Sequence, residues 1–126
     1  MKKTEIDEIV QARLKDAEVL FEASRFDGSV YLCGYAIELG LKARICRILN
    51  WDEYPTSGKF STFKTHNLDA LLHLIGLENI VILKCIAEWS IVAQWNPEAR
   101  YKPIGSVKED DAKDMLDSAK ELIKQL

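Results

Sequence analysis

The chain has no CxxC pair, only two histidines in 126 residues, and no apolar run near the roughly 20 residues that a membrane span needs. Cys33, Cys46 and Cys85 lie inside apolar helical patterns and read as reduced core residues rather than disulfide halves or metal ligands. His66 and His73 are seven residues apart and form no histidine pair at ligand spacing, so no metal or cofactor is expected. The sequence also lacks a P-loop, a GxGxxG, a GxSxG and a Cys–His pair with a third member, which removes the common routes to an enzyme. A formal charge of −3 argues against a surface coated for non-specific nucleic-acid binding. The Met-Lys-Lys start leads into an acidic amphipathic stretch and not into a signal peptide's apolar region, so the expectation is a cytoplasmic protein with no membrane association.

What is present is a folded chain, 48% hydrophobic and 29% charged with the two signs interspersed, and of a length that suits one domain over residues 1–126. Residues 4–24 place Ile6, Ile9, Val10, Leu14, Ala17, Leu20 and Phe21 at spacings of three and four, the stripe of an amphipathic helix. Residues 25–29 supply a break and a possible N-cap, after which helical character resumes to Leu49. The tight connection predicts that these two helices pack antiparallel. Residues 50–64, with Pro55, Gly58 and no stripe, read as a long loop. Thr65 or Asn67 can cap a short helix that Gly76 ends. Over residues 78–95 one face carries Ile82, Cys85, Ile86, Trp89 and Val92 and another Ile80, Leu83, Ala87 and Ile91, so that helix is either central or meets another subunit. Residues 101–107 connect to a last helix over 108–126, which opens on Glu109, Asp110 and Asp111, as suits the helix dipole. The predicted fold is all-α, an up-and-down four-helix bundle with an additional short helix.

The stretch from Ser29 to Ala43, SVYLCGYAIELGLKA, raises the functional question. At about 100° per residue, Tyr31, Tyr35, Glu38 and Lys42 share one narrow helical face, beside the apolar stripe of Val30, Gly34, Ile37 and Leu41. A half-buried acid and base one turn apart can pair, and burial invites a third partner. By composition that partner is Arg100, next to Tyr101 in WNPEARY. Two readings stand side by side: a structural ion pair that fixes helix register, and a pocket for something anionic. Lys64 and His66, just before the short helix, either contact a phosphate or satisfy the helix end, and His73 reads as surface. Residues 42–66 carry +3 against −6 for the remainder; Arg44 and Arg47 there either complement a helix C-terminus or form a small anion patch. Trp51, Trp89 and Trp95 read as core or interface residues.

Taken in order, YLCGYAIELGLKARI, KTHNLDALL and WNPEARY resemble the HEPN family over nearly the whole chain. The resemblance implies an α-helical bundle with a short extra helix, a homodimer, and an association with nucleotides or RNA, commonly beside a nucleotidyltransferase or within a toxin–antitoxin or defence system. The positions that match are Glu38 and Lys42, Lys64 and His66, and Arg100 with Tyr101, and Tyr35 stands on the same face as the first pair. The family's ribonuclease branch carries an Arg followed four to six residues later by a His. None of Arg13, Arg25, Arg44, Arg47 and Arg100 has a histidine in that window, so no catalytic residue is carried over. A ribonuclease that assembles His66, Arg100 and Tyr101 from separate segments, and a purely structural dimerisation module, are the alternative expectations.

Overall fold

The computed structural model describes residues 1–55, 58–76 and 78–126; within its helices the side chains at 60–62, 78, 80–82, 99 and 100 lie outside the description. The chain runs through α1 (Lys3–Glu22), α2 (Phe26–Leu49), a 3-10 turn (Gly58–Phe63), α3 (Leu68–Leu74), α4 (Glu78–Val92), a second 3-10 turn (Pro97–Tyr101) and α5 (Glu109–Gln125). The four long helices and short α3 match the bundle expected from the sequence, and the described residues contain no strand beyond an isolated bridge between Lys2 and Glu53.

Periodicity explains the outer helices. Ile6, Val10 and Ala17 of α1 are buried, as are Ala112, Met115, Leu116, Ala119 and Leu122 of α5, while the acids between them face water. α2 differs: buried residues run from Ser29 to Cys46 on nearly every side, because α1, α3, α5 and the second 3-10 turn all pack around it. It is therefore α2 and not α4 that is central. On α4, Cys85, Trp89 and Val92 are buried, whereas Leu83, Ile86, Ala87 and Ile91 are exposed, Ile86 against the sequence expectation.

Local chemistry corrects two other expectations. The break between α1 and α2 is made by Ser24 in the left-handed region at φ 61°, and α2 begins at Phe26. Ser29, the last residue of the expected break, lies inside α2, fully buried, and its hydroxyl donates to the Ala17 carbonyl at 2.7 Å across the antiparallel pair. The far ends of the same pair are tied where Lys3 N–H donates to the Asp52 carbonyl at 2.8 Å and Tyr54 N–H to the Met1 carbonyl at 3.0 Å. Part of the expected 50–64 loop is the 3-10 turn at Gly58–Phe63. Asn67 is the residue that caps α3, accepting from Ala70 N–H at 2.9 Å, and Gly76 follows its end at φ 69°.

Arg44 and Arg47, read from sequence as either dipole partners or an anion patch, turn to the end of α5. Arg44 Nη1 and Arg47 Nη2 donate to the Leu126 carbonyl at 3.2 and 2.6 Å, and Arg47 Nη1 pairs with Asp7 at 3.3 Å. All three cysteines are buried free thiols, and burial pushes Cys33 up to about 12, so it stays protonated at neutral pH. No helix among the described residues is long and apolar enough to cross a membrane.

Candidate functional site

Glu38 lies midway along α2 with only 1% of its surface exposed, a position where an unpaired carboxylate is costly. Two side chains relieve it. Lys42, one turn on, donates to Oε2 at 3.1 Å, and His66, from the connection before α3, reaches Oε1 with Nδ1 at 2.8 Å. The predicted pair thus exists, and the third partner that burial demands is His66. The side chain of Arg100, the partner expected from sequence, lies outside the described ones, although its 3-10 turn packs on α2. His66 does not satisfy the end of α3, since Asn67 performs that task.

A further member comes from the loop. Tyr54 is 94% buried, and its ring lies under the Lys42 ammonium, 5.2 Å from Nζ to the ring centroid. Its hydroxyl donates to the Phe63 carbonyl, and Phe63 packs edge-on against both Tyr54 and Trp51. Burial, with smaller contributions from Cys46 and Glu38, pushes the Tyr54 phenol well above its ordinary value, so it remains a donor at neutral pH. Lys42 is consequently held on two sides with 13% of its side chain exposed. Sequence reading missed Tyr54, whose loop carries no periodic signal.

His66 is the member that faces out. Its side chain is 64% exposed although Nδ1 is engaged by a buried carboxylate. With Glu38 ionised, Nδ1 carries the proton and donates it to Oε1, which fixes the tautomer and leaves Nε2 as the outward nitrogen. Beside the ring is a depression of about 330 Å³, lined among others by His66, Asn67, Asp69, Gln94, Trp95 and Asn96, and ending at Pro97, where the second 3-10 turn begins. Asp69 holds this wall together by accepting from Trp89 Nε1 at 3.1 Å. Lys64 is exposed two residues before His66, and Tyr101 is 71% exposed at the end of the 3-10 turn. Tyr35 is partly buried against the core and takes no part in the ion cluster.

Along the same face of α2, Tyr31 meets Trp95 at 6.0 Å between ring centroids, tilted by 49°. The Trp95 ring rests directly on Gly34: a Cβ there would fall 2.2–2.3 Å from its Cγ, Cδ2 and Cε2 atoms. Gly34 thus lets the segment that links α4 to the second 3-10 turn approach α2 closely. Among the described residues no group of His, Cys, Asp and Glu could hold a metal ion.

The sequence profile of the HEPN domain matches residues 8–126. The chain belongs to the HEPN domain family. Neither the curated proteins nor the solved structures contain a match. The all-α bundle with its short α3 is the fold that membership implies, and the buried Glu38 with Lys42 on α2 is how the segment YLCGYAIELGLKA is accommodated in this HEPN chain.

Proposed function

We propose that this HEPN chain is a small module that binds a nucleotide or RNA-related ligand at the His66 depression, as a homodimer working beside a nucleotidyltransferase or in a toxin–antitoxin or defence setting. The observation that carries the reading is the 2.8 Å contact between buried Glu38 and exposed His66. It orients an imidazole at the mouth of a depression, on a connection that also bears exposed Lys64. Lys42 pairs with Glu38, so the acid does not stand uncompensated behind the ring, and this supports a reading in which Lys64, His66 and Arg100 meet phosphate oxygens. Lys42 and Glu38 serve by holding His66, while Tyr101 or Tyr35 provides aromatic surface for a base or sugar. The exposed apolar face of α4, with Leu83 at 84% and Ile86 at 52% exposure, supports the homodimer.

The reading is tested by tagged recovery from the native cell with mass spectrometry of proteins and small molecules. The expected result is a nucleotidyltransferase or a bound nucleotide, with loss of the nucleotide in a folded Arg100→Ala protein. Recovery of the protein alone, with Arg100→Ala and Lys42→Ala changing only stability, contradicts it.

The same Glu38–His66 contact favours one second reading, a metal-independent ribonuclease in which Nε2 of the oriented imidazole moves the proton of the attacking hydroxyl. RNA cleavage that persists in chelator and disappears in His66→Ala supports this reading, and no cleavage by the wild-type dimer removes it.

A further inference from the structure

The depression beside His66 is walled by two segments, the start of α3 with Asn67 and Asp69 and the end of α4 with Gln94 and Asn96. The bonds these four side chains make within the fold decide which of their atoms are left over. Asn67 Oδ1 accepts Ala70 N–H and Asn96 Oδ1 accepts Glu98 N–H, both at 2.9 Å. Only the oxygen of a carboxamide can meet a backbone N–H, so the Nδ2 donors of both residues remain for a ligand. Gln94 is turned the other way: its Nε2 donates to the Ser90 carbonyl at 3.3 Å, which leaves Oε1 as an acceptor. Asp69 is anchored through Oδ1 at 3.1 Å by the indole N–H of Trp89, a residue only 8% exposed, and its Oδ2 stays open. Residues 94–96 also border a larger cavity of about 700 Å³ beside Tyr31 and the start of α5.

The depression thus offers amide donors, an amide acceptor and a carboxylate around about 330 Å³, the lower end of the range for small-molecule sites. A phosphate matches this set poorly, because it has only acceptors to offer and Asp69 repels it. A nucleobase edge offers donors and acceptors together. Among the bases, guanine places two adjacent donors, N1–H and the N2 amino group, beside an acceptor, O6. Adenine and cytosine set a ring acceptor next to their amino group, and uracil flanks N3–H with two carbonyls. Each of those three therefore turns a lone pair toward a carboxylate that guanine meets with N–H groups alone.

Resting on the nucleotide reading proposed above, we infer that the depression selects guanine. The Asp69 carboxylate, whose Oδ1 keeps a second lone pair, accepts from N1–H and N2–H, and Gln94 Oε1 takes the other N2 hydrogen. Asn67 or Asn96 Nδ2 donates to O6 or N7. The phosphate lies outward at Lys64, which is not part of the lining.

The test is titration of the full chain with GMP, IMP, AMP and XMP, following the side-chain amide signals of Asn67 and Asn96 by NMR. The expected result is GMP about tenfold tighter than AMP, as a paired base contact allows, with IMP between them because it lacks the N2 amino group. Tyr31 and Val107, at the larger cavity, stay unmoved. Asp69→Asn keeps the Trp89 contact, since only its oxygen can accept the indole N–H, and puts Nδ2 where Oδ2 was. It should weaken GMP by about tenfold, leave AMP no weaker, and improve XMP, whose C2 carbonyl then faces a donor. Equal affinity for GMP and AMP, with both moving the Asn67 and Asn96 signals, overturns the guanine preference and leaves the nucleotide reading standing. A GMP preference that survives Asp69→Asn overturns it as well. The absence of a saturable shift with any of the four overturns the inference and the nucleotide reading together.

Discussion

One face of α2 ends in two different ways. At its C-terminal half, Glu38, Lys42, Tyr54 and His66 form a closed cluster in which both carboxylate oxygens are occupied and the lysine is sandwiched against a ring. At its N-terminal half, Tyr31 and Trp95 border a cavity of about 700 Å³. The amino-acid types explain the contrast. A carboxylate buried to 1% exposure compels its surroundings to supply partners, so chain from two distant segments is drawn onto it. Aromatic rings make no such demand and can leave space beside them. The closed end fixes structure and presents one outward group, His66; the open end keeps room.

Three substitutions sharpen or break this comparison. Glu38→Ala leaves Lys42 held in place without its counter-charge and frees His66, and should cost about 3 kcal/mol in urea unfolding, near the lower limit for breaking a buried pair. A cost below about 1 kcal/mol, the range of exposed pairs, means that the closed end is not a network. Gly34→Ala drives a methyl into the Trp95 ring and should cost about 2 kcal/mol, the usual range for overpacking, while displacing the Trp95 indole signal. An unmoved indole signal means that the open end tolerates what the geometry forbids. Tyr54→Phe removes only the donor to the Phe63 carbonyl and keeps the ring under Lys42, so its cost should be about 1 kcal/mol with the His66 signals unchanged.

The helices were legible in the sequence because burial repeats every three or four residues along α1 and α5, and the Glu38–Lys42 pair because its i,i+4 spacing is local. The centrality of α2 was less legible: buried residues on many sides of a helix leave no stripe, and α4 gave the same signal while exposing one of its faces. His66 stood out as a residue, but its contact with Glu38 spans 28 positions, and no local rule connects them. Tyr54 and Asp27 act through loops, on Lys42 and on the Gly105 and Val107 amides, where sequence has no period to read. Gly34 carried a readable hint, since a glycine inside a buried helix face marks a close approach, but its partner Trp95 is separated from it by the bundle's topology.

The most direct test of the account is an amide and side-chain NMR titration of the wild-type chain with ATP, and separately with a short single-stranded RNA, repeated on His66→Ala. The account predicts saturable shifts centred on Lys64, His66, Asn67 and Gln94, leaving Asp111 and Asp114 unmoved, and loss of that response in a variant that stays folded. Shifts centred on Tyr31 and the start of α5, or binding unchanged in His66→Ala, would contradict the assignment of the closed, Glu38-anchored end as the ligand site.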